Sequence, residues 1–473
     1  MNPKVAAGYA LTMALVAAVF GAVSSFGTAL AAPPPPPGQP LFDRSAATEV
    51  ANPLAHVLLA VAIVIVAARA IGALFRRFGQ PPVIGEMLAG ILLGPSLLGS
   101  VFPAASAFLL PPAVAPQLGI LAQIGVVLFL FLVGLELDTE VVRQRSRTAI
   151  AVAWASMTVP FVLGSLMALL LYPATATSDV PFVPFALFVA VAMSVTAFPV
   201  LARILGETGL QKTALGGIAL AAAAAGDVTA WCLLAVVVGV AKATAGAAVT
   251  TVALAIAFTA VMLLLVRPAV VRWVGRQSGT ASASAHAMVV LLVGLLATAL
   301  AAEAIGIHAL FGAFLFGAII PHDSELAKVA TQKLTDVVVV LFLPVFFAFT
   351  GLRTQIGLVE GGGNWLLCAL VVAVATAGKV GGAYLAARAN GLDRREAGAL
   401  GALMNTRGMM ELVVLNVGLD LRLISPLLFA MMVTMALVTT LATTPLLHLL
   451  GVTGTAGAAT PQPVSWRATN GPR

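Results

Sequence analysis

Six ionisable residues sit inside long apolar runs of the sequence: Glu86, Asp227, Glu303, Lys379, Arg407 and Glu411. A charge held at membrane depth costs about 3 kcal/mol or more, so each of them needs a partner or a function. Asp227 has the most telling surroundings. It follows Ala221 to Ala225 and Gly226 and precedes Val228 and Thr229. Small residues let neighbouring backbones come close, and a carboxylate withdrawn from water is poorly stabilised as a bare anion. Such a group suits the exchange of a bound proton for a bound cation. The alternative is a structural carboxylate tied to a positive partner.

Two further stretches offer oxygen atoms at the same depth. One is Ser194-Val195-Thr196-Ala197-Phe198-Pro199. Pro199 lacks an amide hydrogen and its ring clashes with the carbonyl four residues earlier. The chain is therefore expected to break there, leaving free carbonyls beside the Ser194 and Thr196 hydroxyls; a simple proline kink is the plainer option. The other stretch is Asn405-Thr406-Arg407-Gly408, followed by Glu411. Gly408 is a weak point for a helix, and Arg407 and Glu411, four apart, share a face and can pair. Lys379 lies between Gly378 and Gly382 in a G-x-x-x-G pattern. A lysine at this depth has to pair with a carboxylate or give up its proton.

These residues need elements to hold them, and the composition says which. Of 473 residues, 60% are apolar and 9% charged, with mean hydropathy +1.06. That excludes an ordinary soluble domain, which is about one quarter charged, and excludes a disordered chain. From residue 54 onward the sequence shows thirteen apolar helical segments, each close to the length that crosses a hydrocarbon layer of about 30 Å. The expected fold is an all-α integral membrane domain over 53–450. The fifth segment (183–204) carries Ser194, Thr196 and Pro199, the sixth (214–240) Asp227, the eleventh (365–387) Lys379 and the twelfth (397–419) Arg407. The ninth (305–320) is the weakest. Segments five and twelve run in opposite directions, and paired interrupted helices in two halves point to an inverted-repeat secondary transporter with its site at the midplane.

Charge sets the orientation. Eighteen of the 25 Lys and Arg residues fall in the loops after segments 1, 3, 5, 7, 9 and 11 and in the tail, against four on the other side. By the positive-inside rule the C-terminus is expected to be cytoplasmic and the protein multi-pass in the plasma membrane. The net charge of +7 is thus topology information rather than a nucleic-acid footprint. Glu136 and Arg203 lie near helix ends and read as interface charges. Cys232 and Cys368 both fall in apolar segments and read as small buried residues, with no metal site, disulfide or cofactor indicated. Residues 1–32 read as a signal peptide ending in Ala29-Leu30-Ala31 or as an extra N-terminal span. Residues 33–52 form a proline-rich linker, and 451–473 a short disordered cytoplasmic tail.

Several ordered motifs carry a resemblance. They are Gly85 to Ser96, Phe131 to Glu136, Ser194 to Leu205, Gly226 to Trp231, Leu343 to Phe347 and Asn405 to Gly408. Together they resemble the monovalent cation:proton antiporter-2 family over about residues 52–450. The resemblance implies thirteen helices, a dimerisation domain and hence a homodimer, and a mobile core of segments 4–6 and 11–13 with crossing broken helices at five and twelve. It also implies elevator-type alternating access, an ion-binding aspartate at Asp227, broken-helix hydroxyls at Ser194 and Thr196 and a core lysine at Lys379. The expected partners are a monovalent cation (Na+ or K+), a proton and the lipid bilayer. The sequence departs from many relatives at Gly226, where they carry Asp or Asn. Lys379 then lacks an acidic neighbour there, and one-for-one electroneutral exchange is expected. Two other classes compete. A cation channel needs no titrating carboxylate, and an intramembrane aspartyl protease needs a second aspartate motif that the sequence does not offer.

Overall fold

In a lipid environment every backbone polar group has to be satisfied within its own segment, so long apolar runs fold as helices. The computed structural model describes residues 3–33, 53–111, 114–135, 147–177, 179–211, 213–242, 245–276 and 283–452. Among the described residues there is no strand, and twelve helices are long and apolar enough to span a membrane. In chain order the main helices are α1 (Pro3–Gly27), α2 (Pro53–Arg77), α3 (Pro82–Leu93), α4 (Ala115–Leu135), α5 (Arg147–Thr175), α6 (Phe182–Ser194), α7 (Phe198–Glu207) and α8 (Ala214–Lys242). They continue as α9 (245–276), α10 (Ala283–Ile305), α11 (Ala309–Ile319), α12 (325–352), α13 (Gly361–Ala389), α14 (Arg394–Met404), α15 (Met409–Asp420) and α16 (Pro426–Leu449). α9 and α12 each contain a π-helical turn, at Met262–Val266 and Val338–Phe342.

Of the thirteen expected segments, eleven are among these long spans, the fifth with a break between α6 and α7, and two are not. The ninth is the 11-residue α11, entered through the turn Gly306-Ile307-His308, in which His308 has φ 76°. The twelfth is split into α14 and α15. The helix that brings the long spans to twelve is α1. It lies along α5, where the Trp154 indole N–H donates to the Thr12 hydroxyl at 3.0 Å and Phe20 faces Phe161 at 5.9 Å. Glu136, most of the proline-rich linker and most of the tail lie outside the described residues.

Helix starts follow local chemistry. Asp393 caps α14 by accepting the Glu396 N–H at 2.7 Å, and Ser425 caps α16 just ahead of Pro426. Both are the expected N-terminal residue types. The helices pack most closely within two groups. One contains α2, α3, α4, α10, α11 and α12, and the other α5, α6, α8, α13, α14 and α16. In the second group, α13 lies tight against α5 through Gly378 and Gly382. A Cβ on Gly382 would fall 2.5 Å from the Ala155 carbonyl oxygen, and one on Gly378 would fall 3.0 Å from the Pro160 Cα. This close crossing sets the depth of Lys379, the residue after Gly378. Polar ties join α12 to α15 among the described residues, one of them from Asn416 Nδ2 to the Thr350 hydroxyl at 2.8 Å. Arg353, just beyond α12, donates to Asp420 Oδ1 at 2.6 Å and Asn416 Oδ1 at 3.0 Å on α15, above the Phe349 ring.

Candidate ion site at two interrupted helices

α6 stops at Ser194 because Val195 and Ala197 take extended backbone conformations, with ψ of 140° and 94°. The chain re-enters a helix at Phe198, so Pro199 occupies the first turn of α7. There its missing N–H leaves no intrahelical bond unmade. The split in the twelfth span has a different local cause. Gly408 has φ 155° and ψ −129°, which other residues rarely adopt, and it separates α14 from α15.

The two interruptions are bonded to each other. The Ala197 N–H donates to the Thr406 carbonyl at 3.1 Å, and the Thr196 hydroxyl donates to the Met404 carbonyl at 3.3 Å. The last carbonyls of α6, which no helical N–H can reach, are taken by cations. Arg407 donates from Nη1 to Ala192 at 3.0 Å and from Nη2 to Met193 at 2.6 Å. Lys379 Nζ donates to the Ser194 carbonyl and to the Thr196 hydroxyl. Positive groups at the C-terminal end of a helix also oppose its dipole. Arg407 Nη1 bonds Glu411 Oε2 at 2.9 Å, so the expected i,i+4 pair is present and both side chains are fully buried. Glu411 occupies the first turn of α15, where the dipole favours an acid.

Asp227 lies in α8 with 2% of its surface exposed. Lys379 and the Phe198 amide, at the start of α7, are the groups that act on it most strongly. The Phe198 amide falls short of full hydrogen-bond geometry, and neither carboxylate oxygen has another partner among the described residues. The side-chain amide of Asn405 is likewise buried and without a partner. The Ser194 hydroxyl is turned away from the break, donating toward the Ala190 and Met157 carbonyls at 2.7 and 3.1 Å.

The structure therefore gathers Asp227, Lys379, Arg407 and Glu411 into one electrostatic cluster, two acids facing two bases. It also supplies the partners of Lys379, which the sequence left open. Lys379 is hydrogen-bonded to a backbone carbonyl and a hydroxyl of the broken span rather than to a carboxylate, because α13 is held against α5 and faces the end of α6. Glu303 proves to have a structural task, accepting the Ala309 N–H at 2.9 Å to start α11. Glu86 is buried on α3 within electrostatic reach of Arg203, Arg69 and Arg76, away from the break. Cys368 is buried as expected, whereas Cys232 is exposed. Sequence reasoning missed the threonines of α16. Thr440 accepts the Arg407 N–H at 3.1 Å and donates to the Arg407 carbonyl at 2.8 Å, while Thr406 and Thr443 hydroxyls meet at 3.4 Å. The signal was present in Thr439-Thr440 and Thr443-Thr444, paired hydroxyls one helical turn apart in an apolar helix.

No group of three or more potential metal-ligating side chains occurs among the described residues. An all-helical membrane domain centred on paired interrupted helices is a transporter architecture rather than an enzyme's. The chain belongs to the sodium/hydrogen exchanger transmembrane family, which its residues 58–449 match. It is 44% identical to the Na(+)/H(+) antiporter NhaS4 of Synechocystis over 399 residues, covering 84% of this chain and 97% of that protein. It is 40% identical to cation/H(+) antiporter 18 of Arabidopsis thaliana, covering 86% of this chain and 50% of the relative. Against K(+)/H(+) antiporter 1 of Saccharomyces cerevisiae it is 34% identical, covering 84% of this chain and 47% of the relative. The chain thus spans about half the length of the plant and yeast relatives. Its fold is that of the sodium proton antiporter MjNhaP1 from Methanocaldococcus jannaschii, with TM-score 0.63 at 14% identity, over 85% of this chain and all of the other.

Proposed function

We propose that this protein exchanges a monovalent cation, Na+ or K+, for a proton across the plasma membrane, Asp227 binding the two in turn. One observation carries the proposal: a buried carboxylate with no side-chain hydrogen-bond or ion-pair partner among the described residues, beside an interrupted helix. A carboxylate in that setting needs a proton or a cation to offset its charge, and two ligands that compete for one group are exchanged rather than co-transported. The Thr196 hydroxyl and the Ser194 carbonyl are the further candidate ligands, and the Ser194 hydroxyl becomes one on turning from the Ala190 and Met157 carbonyls. Lys379, Arg407 and Glu411 balance charge and hold the break open. The related proteins are named for sodium in one case and potassium in another, so either ion is retained here.

In this proposal the group formed by α5, α6, α8, α13, α14 and α16, together with α7 and α15, moves as an elevator against the remaining helices. Its support is the tight packing within each group and the family resemblance. A homodimer with a cytoplasmic C-terminus follows from the same resemblance and from the distribution of Lys and Arg. With Glu411 paired to Arg407 and Gly226 beside Asp227, Asp227 is the carboxylate left to exchange its ligand, so one proton replaces one monovalent cation and exchange is electroneutral.

Everted membrane vesicles test the central step. Adding Na+ or K+ to acid-loaded vesicles is expected to drive proton efflux, and Asp227→Asn is expected to abolish it. Flux that survives in the Asn variant removes Asp227 from the mechanism. Cation flux without proton movement would favour a channel. An imposed membrane potential that drives transport in proteoliposomes would overturn electroneutrality alone.

A further inference from the structure

We propose that Thr440 on α16 is a positioning residue that sets the cation affinity of the site through Arg407, an inference that rests on the exchange proposed above. Thr440 does not touch the ion. Its hydroxyl brackets the backbone of Arg407, accepting the N–H at 3.1 Å and standing 2.8 Å from the carbonyl. A hydroxyl has one proton and two lone pairs, and the proton is shared with the Ala436 carbonyl of its own helix at 2.7 Å. Bonding to Ala436 alone would be ordinary back-bonding. Accepting the Arg407 N–H is different, because that donor lies in the gap between α14 and α15.

The bracket has a direct continuation. With its backbone fixed, Arg407 places its guanidinium on the Ala192 and Met193 carbonyls and on Glu411. Ser194, the next residue, presents its carbonyl to Lys379, which also holds the Thr196 hydroxyl. A short chain of direct hydrogen bonds therefore runs from α16 through the twelfth span to the end of α6. Removing the Thr440 hydroxyl leaves the Arg407 N–H buried and unbonded, which favours a shift of its backbone. The guanidinium would then lose its register on α6.

Three variants separate positioning from simple packing. Thr440→Val keeps the shape and deletes the hydroxyl, and Thr440→Ser keeps the hydroxyl. Thr434→Val is the control, since Thr434 donates to Ala430 of its own helix and to nothing else among the described residues. In everted vesicles Thr440→Val is expected to raise KM for Na+ or K+ about three- to ten-fold, the effect of one buried hydrogen bond. Vmax per folded protein should fall less, and the Ser and Thr434→Val variants should stay near the wild type. Amide hydrogen exchange on the full chain gives a transport-independent readout. Thr440→Val should lose protection in two segments, 404–412 and 190–198. Loss confined to 404–412, an unchanged KM, or an equal rise in Thr434→Val would overturn the proposal. Wild-type vesicles without cation-driven proton efflux would instead count against the exchange proposal, and the two-segment exchange result would still decide the link from Thr440 to α6.

Discussion

The fifth and twelfth spans are both interrupted, but different forces hold the two breaks. At the end of α6, three successive carbonyls, Ala192, Met193 and Ser194, are bonded by the cations Arg407 and Lys379. At the gap between α14 and α15, the backbone of Arg407 is bonded by a neutral hydroxyl, Thr440, and the Thr406 carbonyl accepts the Ala197 N–H. The first break is thus held by charge and the second by neutral hydrogen bonds. Electrostatic interactions at low dielectric are strong and respond to every neighbouring charge, whereas hydroxyl-to-backbone bonds depend mainly on geometry. Under the exchange proposed above, a change in the occupant of Asp227 is therefore expected to be felt first at the fifth span. The twelfth span serves as the frame, and it reaches across to the other break with the Arg407 side chain.

The sharpest way to break this comparison is to remove that side chain. Arg407→Leu takes away the bonds to Ala192 and Met193 and leaves Glu411 buried without its partner. Breaking one side of a buried ion pair costs about 3–5 kcal/mol, so a large fall in the thermal midpoint of the purified protein is expected. Arg407→Leu combined with Glu411→Leu should recover part of the loss, since an apolar pair avoids the unpaired charge. A single variant as stable as the wild type would show that charge does not hold the α6 end.

Lys379→Met probes the same break more gently. It leaves the Ser194 carbonyl without its donor, an omission that costs about 1–3 kcal/mol, while Arg407 still holds the two preceding carbonyls. The variant should fold, with a moderate fall in thermal midpoint and impaired cation-driven proton efflux. Lys379→Arg should not restore efflux fully, because a planar fork cannot replace a compact ammonium between one carbonyl and one hydroxyl. Equal losses of stability for Arg407→Leu and Lys379→Met would contradict the division of labour described above.

These side chains differed in how readable they were from sequence. Ser194 to Pro199 and Asn405 to Gly408 announce their breaks locally, through proline, glycine and clustered oxygens, and Arg407 and Glu411 announce their pairing by spacing. Asp227 stands out because charge is scarce at depth. The partners of Lys379 were not legible. Ser194 lies 185 residues away in sequence, and a uniformly apolar helix such as α13 has no polar face to show which way it turns. Thr440 was visible as one of two threonine pairs but unreadable in role, since a threonine in an apolar helix is usually satisfied by its own backbone. The short α11 was visible only as a weak segment. Its limit is set by the turn at Gly306 to His308 and by the bond from Ala309 to Glu303.

Pro199 offers the smallest expected effect and a pointed test of what makes the fifth span break. From sequence the proline is the cause, since it removes a donor and crowds the preceding turn. In the structure Pro199 sits in the first turn of α7, where a helix has no use for that donor. The extended residues before it are fixed instead by the bonds from Ala197 to Thr406, from Lys379 to Ser194 and from Arg407 to Ala192 and Met193. Pro199→Ala should therefore lose less than about 1 kcal/mol, chiefly through greater freedom of the unfolded chain, and keep cation-driven proton efflux. A collapse of transport comparable with Lys379→Met would mean that the proline, and not the cations, keeps the helix from closing across Val195 to Ala197.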